Sequence, residues 1–157
     1  ISQFVVKATN PPLRPLRRFI PGWGGIDGAA LVLAVIIQAI TFFLILVALN
    51  GGIPGINPIT LLVWAVLNVL SLIVKIYFWS VIAVVVVSWI APQSSHPAIQ
   101  LVAQITEPVM RPVRSVMPSM GGLDLSPIIV FLILNVISVV IDHMKIAAGL
   151  GSIGLGM

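Results

Sequence analysis

The 157-residue chain contains no cysteine, only four acidic residues and two histidines. Without cysteine there is no disulfide, no thiolate metal ligand, no thioether haem attachment and no cysteine nucleophile. His96 and His143 stand alone, and a single imidazole makes a poor metal site. No metal, cofactor or catalytic set is therefore expected. Charged residues amount to 8% of the chain, against about 25% in a soluble domain. So few charges do not cover a water-facing surface, while 59% of the residues are hydrophobic. The composition is that of an integral membrane protein.

What charge there is has a pattern. The formal net charge is +4, and all five arginines lie in two short segments. Thr9 to Asp27 reads TNPPLRPLRRFIPGWGGID, and 97 residues later Thr106 to Asp124 reads TEPVMRPVRSVMPSMGGLD. Nine of the nineteen positions are identical. In so apolar a chain, clustered arginines point to anionic lipid headgroups and membrane topology rather than to nucleic acid.

Three runs are apolar enough to cross a bilayer. Gly28 to Leu49 is 22 residues without a charge, and a spanning helix needs roughly 20. Pro127 to Ile141 reaches that length when its flanks, Leu125 to Met144, are added. Ile59 to Ala91 has 33 residues, about 50 Å as one helix against a core of about 30 Å. Its spanning part is read as Leu72 to Ile90. The stretch Asn57 to Ser71 is then interfacial, re-entrant or an extension of the helix.

Two crossings separate the arginine segments, so both segments face one side, and the positive-inside rule makes that side cytoplasmic. Applying the offset of 97 to Leu72–Ile90 predicts a further span upstream of residue 1. The expected fold is an all-α, polytopic bundle of two parallel helix–loop–helix repeats. Residues 1–49 hold the second half of repeat 1, and 50–58 a periplasmic loop. Residues 59–148 form repeat 2, and 149–157 a glycine-rich tail.

Each basic segment combines three devices. Prolines at 11, 12, 15 and 21, and at 108, 112 and 118, are expected to break a long helix into short elbows. Arg14 and Arg17, like Arg111 and Arg114, share a face wherever a helical turn forms, and Arg18 adds a further charge. Asp27 and Asp124 precede their apolar helices as N-caps and, with Glu107, orient the arginines. One reading is an anionic-headgroup or partner site at Arg14, Arg17, Arg18, Arg111 and Arg114. The other is topology anchoring with helix capping.

The pattern T-x-P-x-x-R-P-[VL]-R-x-x-[MI]-P-x-x-G-G-[IL]-D, present twice and each time followed by an apolar helix, resembles the YggT family of bacterial integral membrane proteins. SWIAPQSSHPAIQLVAQITEPVMRPVR (Ser88–Arg114) is similar to the family's usual lead-in. The first copy departs in having Asn10 where the second has Glu107, and Gly28-Ala29-Ala30 where the second has Leu125-Ser126-Pro127. The resemblance implies links to osmotic or salt tolerance and potassium uptake. In photosynthetic lineages it implies links to cytochrome b6f haem attachment and to division or nucleoid organisation. It supplies no catalytic residue.

Polar residues inside the spans follow the same offset. Gln38 and Thr41 correspond to Asn135 and Ser138, eleven and fourteen residues past their aspartates, about 16–21 Å along a helix. They read as glue between helices or as a polar ring for an ion. Lys75 and Asp142 are expected at similar depths, about 24 and 27 Å from the cytoplasmic edge. They read as an ion pair, with snorkelling of Lys75 as the alternative. Asn68, Ser71 and Lys75 make a polar stripe at helical spacing. Trp23, Trp64, Tyr77, Trp79 and Trp89 read as interfacial anchors or lipid-facing bulk.

The function expected from this set is a non-enzymatic inner-membrane scaffold or accessory subunit. Its partners are anionic lipids and another membrane protein or further copies of itself. The alternatives are an oligomeric transport-related protein for potassium uptake or osmotic response, and a membrane factor in cytochrome assembly or division.

Overall fold

The computed structural model describes residues 2–20, 27–52, 55–90, 97–116 and 126–150. Among these residues the chain forms five helices and no strand: α1 (Ser2–Phe19), α2 (Gly28–Asn50), α3 (Pro58–Ile90), α4 (Pro97–Val116) and α5 (Ser126–Ala147). Three are long and apolar enough to cross a membrane, over Gly28–Leu49, Pro58–Val87 and Ser126–Ala147. Their outer faces carry large apolar side chains such as Leu44, Trp79 and Val136, each more than 55% exposed. Side chains of that kind are stable against hydrocarbon rather than water.

Local chemistry sets the helix ends. Asp27 has an extended backbone, and its Oδ1 accepts the amide of Ala30 at 3.2 Å, which starts α2. Gly51 closes α2 at φ 66°, a left-handed conformation that glycine adopts without steric cost. Asn57 starts α3 in the same manner, its Oδ1 accepting the amide of Ile59 at 2.9 Å. Pro58 follows as the first helical residue, where a missing N–H costs nothing.

From there α3 runs without a break to Ile90. No glycine or proline interrupts it after Pro58. The stretch to Ser71 is therefore an extension of the spanning helix, not a separate interfacial or re-entrant element.

The duplicated segments depart from the sequence expectation. They are not elbows. α1 passes through Pro11, Pro12 and Pro15, and α4 through Pro108 and Pro112, as continuous helices. A proline inside a helix removes the bond to the carbonyl four residues back. All five prolines are exposed. The carbonyls released by Pro15 and Pro112 belong to Pro11 and Pro108, on that same outer side. An exposed carbonyl on that side is open to solvent, which lowers the cost of the lost bond. The opposite face is apolar and carries the buried Leu13 in α1 and Met110 in α4. Both helices are amphipathic, with arginines in the last turn.

The repeat is thus structural. Shifting α1 by 97 gives 99–116, against Pro97–Val116 for α4, and shifting α2 gives 125–147, against Ser126–Ala147 for α5. In each copy the amphipathic helix packs on the spanning helix that follows it.

The chain divides into two compact units at Val69–Leu70, within α3. In the first unit Ala29 is fully buried, and Phe42 meets Trp64 edge to face with centroids 6.2 Å apart. Trp64 is therefore a core residue, 4% exposed, rather than a lipid-facing anchor. In the second unit Val81, Met110, Val130 and Leu134 form a buried cluster joining α3, α4 and α5. Phe78 packs against Phe131 at 4.7 Å, a contact worth roughly 0.5–1.5 kcal/mol beyond the area it buries.

Candidate membrane-interface site

In the first unit, α1 ends close to the start of α2, and the contact is made by charge. Arg17 Nε donates to Asp27 Oδ2 at 3.0 Å, and its Nη2 donates to the same oxygen. Asp27 therefore divides its carboxylate, Oδ2 to the guanidinium and Oδ1 to the helix N-terminus. The hydrogen bond from Arg17, helped by the amides of Ala30 and Ala29, holds its carboxyl below the usual value of 3.8 although partial burial opposes the shift. Arg14 and Arg18 are exposed on the same helix, one turn apart. Among the described residues no carboxylate pairs with either.

Arg114 Nη1 lies 3.7 Å from Glu107 Oε2, two turns back on α4. Glu107 stands where the first copy has Asn10, so this option exists in one copy only. Arg111 is exposed, and Ser115 occupies the position of Arg18. Asp124 lies outside the described residues, as do Trp23 and His96, and so does the side chain of Trp89.

Two of the polar residues of the spans are satisfied by their own helices. Thr41 Oγ1 donates to the Ile37 carbonyl at 2.8 Å, and Asn135 Nδ2 to the Phe131 carbonyl at 2.8 Å. Gln38 and Ser138 are half-buried. The stripe Asn68, Ser71, Lys75 does not share one environment. Ser71 is 4% exposed, Asn68 half-buried and Lys75 exposed.

The expected Lys75–Asp142 pair is not formed. Asp142 lies 3.5 Å from Lys145, one turn along its own helix. The reason is register. Phe78 meets Phe131, so in oppositely running helices Lys75 is level with Leu134. Asp142 lies eight residues beyond that, about 12 Å along α5. Counting residues from the ends of α3 and α5 concealed this, because the two helices do not begin and end level with one another.

Two features escaped the sequence reading. The Asp142–Lys145 pair follows helical spacing, which a search along helix faces would have found. An apolar cavity of about 130 Å³ lies between α3 and α4, lined by Ala83, Val84, Val87, Ile99 and Val102; no sequence signal marks it. Among the described residues no three His, Cys, Asp or Glu side chains gather as metal ligands.

Known proteins share this arrangement at the level of sequence. The family model described as CCB3/YggT matches residues 1–48 and 63–144. An uncharacterized protein of Pseudomonas aeruginosa is 48% identical over 151 residues, covering 96% of this chain and 76% of that protein. The uncharacterized protein YggT of Escherichia coli K12 is 37% identical over 153 residues, 94% of this chain and 75% of that protein. An uncharacterized protein of Vibrio alginolyticus is 36% identical over 132 residues, 83% of this chain and 70% of that protein. No solved structure matches. The matched residues include both basic amphipathic helices and most of the three apolar ones, and on that ground the chain belongs to the CCB3/YggT family.

Proposed function

We propose that this protein is a non-enzymatic docking element of the bacterial inner membrane. Its two amphipathic helices lie along the cytoplasmic leaflet and engage anionic headgroups, each anchored by the spanning helix that follows it. One observation carries this reading. In each copy one arginine is held by a carboxylate, Arg17 by Asp27 and Arg114 by Glu107. The others, Arg14, Arg18 and Arg111, remain exposed with no ion pair among the described residues. The paired arginines fix helix geometry, and the unpaired ones face phosphate. The cytoplasmic placement follows from the positive-inside rule.

The test is lipid retention by the purified protein. Native mass spectrometry and vesicle flotation are run with phosphatidylglycerol and with phosphatidylcholine, beside a triple Arg14→Gln, Arg18→Gln, Arg111→Gln variant. At about 1 kcal/mol per arginine near an anionic surface, the triple variant is expected to lose on the order of 100-fold in affinity for the anionic lipid. Equal retention of both lipids by the unaltered protein sinks the reading.

A further inference from the structure

Arg14 and Arg18 stand one turn apart on α1. The turn that carries Arg18 is still helical, since the Ile20 amide donates to the Leu16 carbonyl at 2.9 Å. At this spacing the Cβ atoms are about 5–6 Å apart, close enough for two arginine side chains to converge on one group. Pro11 and Pro15 complete the face, at helical spacing with the arginines, and all four residues are exposed. A proline ring carries no donor or acceptor, so nothing on the face competes for the two guanidinium groups. The residue one turn before Arg14 is the neutral Asn10, where the second copy has Glu107. Arg17 is engaged elsewhere, its Nε and Nη2 both donating to Asp27. Asp27 gives its other oxygen to Ala30.

The second copy shows the same face left open by the packing of the repeat. Pro108, Arg111, Pro112 and Ser115 hold the corresponding positions on α4, and all four are exposed. They are exposed although Met110 of the same helix is buried in the cluster that joins α3, α4 and α5. The copies differ in what the face presents: two arginines on α1, one arginine and a serine on α4.

We infer that Arg14 and Arg18 together clasp a phosphomonoester in preference to a phosphodiester. Each guanidinium presents a planar fork of N–H donors that fits two oxygens of one phosphate. A phosphodiester has two unesterified oxygens and a single negative charge, which one arginine satisfies. A phosphomonoester has three acceptor oxygens and a charge of about −1.5 to −2 near pH 7. The second guanidinium then gains both an acceptor and a charge to neutralise. The ligand class is a lipid whose headgroup ends in a free phosphate, and α4, with Arg111 alone, does not make the distinction. This rests on the headgroup reading above and narrows it to one copy and one phosphate chemistry.

The experiment is native mass spectrometry of the full chain in mild detergent, titrated with phosphatidic acid, phosphatidylglycerol and phosphatidylcholine of identical acyl chains. The unaltered protein is expected to bind phosphatidic acid about tenfold more tightly than phosphatidylglycerol. Arg18→Gln brings that ratio close to unity. Arg111→Gln removes an equal charge and leaves the ratio unchanged. Adding Glu107→Asn and Ser115→Arg to Arg18→Gln builds the pair on α4 and restores the preference, a gain that a folding defect does not imitate. Equal affinity for phosphatidic acid and phosphatidylglycerol overturns the inference, as does a ratio lowered equally by Arg18→Gln and Arg111→Gln. Failure of the headgroup reading is a different result, phosphatidylglycerol bound no better than phosphatidylcholine. Glycerol phosphate added in excess identifies the source of the ligand. Retention of phosphatidic acid places the phosphomonoester in the membrane, its displacement places it on a soluble ester, and both uphold the preference for a free phosphate.

Discussion

Arg17 and Asp27 join the end of one helix to the start of the next through a single carboxylate, whose two oxygens serve different elements. Asp27→Asn keeps a good cap for α2 but removes the charge that holds Arg17. Asp27→Ala removes both. Thermal unfolding in detergent is expected to rank the native protein above Asp27→Asn, and Asp27→Ala lowest. Equal losses for the two variants would show that the Arg17 contact contributes nothing.

The same pair predicts a direction with pH. Asp27 titrates below its ordinary 3.8 in the folded protein. Its contribution to stability is therefore complete above pH 3.8 and fades as pH falls through the lower folded value. Acid unfolding of Asp27→Asn is expected to lose this component of the pH dependence. Identical acid profiles for native and variant proteins exclude it.

The two copies are predicted to bind anionic surfaces unequally, because Ser115 stands in place of Arg18 and Glu107 in place of Asn10. Glu107→Asn with Ser115→Arg makes the second helix resemble the first. The double variant is expected to gain roughly 1 kcal/mol in binding to phosphatidylglycerol vesicles, an increase that shrinks as salt rises. A loss of binding, or a gain indifferent to salt, contradicts the assignment.

Prolines within α4 weaken it. Pro112→Ala restores the bond to the Pro108 carbonyl, on a helix face already exposed. Replacing an interior proline is worth up to about 3 kcal/mol locally. Hydrogen exchange of α4 amides is expected to slow in this variant. Faster exchange would mean that the proline rings themselves make contacts the helix needs.

Asn135→Leu is expected to leave the thermal stability of the second unit nearly unchanged, since its amide hydrogen-bonds its own helix at the Phe131 carbonyl. Marked destabilisation would show that the side chain holds another helix.

Much of this architecture was legible in the sequence. The three spans follow from uncharged length, and the helix start at Asp27 follows from an aspartate placed just before an apolar run. The prolines misled, because a propensity penalty says nothing about which face a ring occupies. On an exposed face a freed carbonyl is open to solvent, and both helices continue through their prolines. Trp64 misled for a related reason. Its type suits a membrane boundary, but Phe42 covers it.

The sequence by itself determined the membrane class, the 97-residue duplication and the grouping of every arginine into two segments. Each is a property of composition or spacing along the chain, and no folding is needed to read it. Only the tertiary structure decided that Arg17 is held by Asp27 and that Lys75 and Asp142 do not pair. The second outcome depends on the register at which distant helices meet, here anchored by Phe78 against Phe131. Register is set by how side chains interlock, and counting residues from helix ends does not contain it.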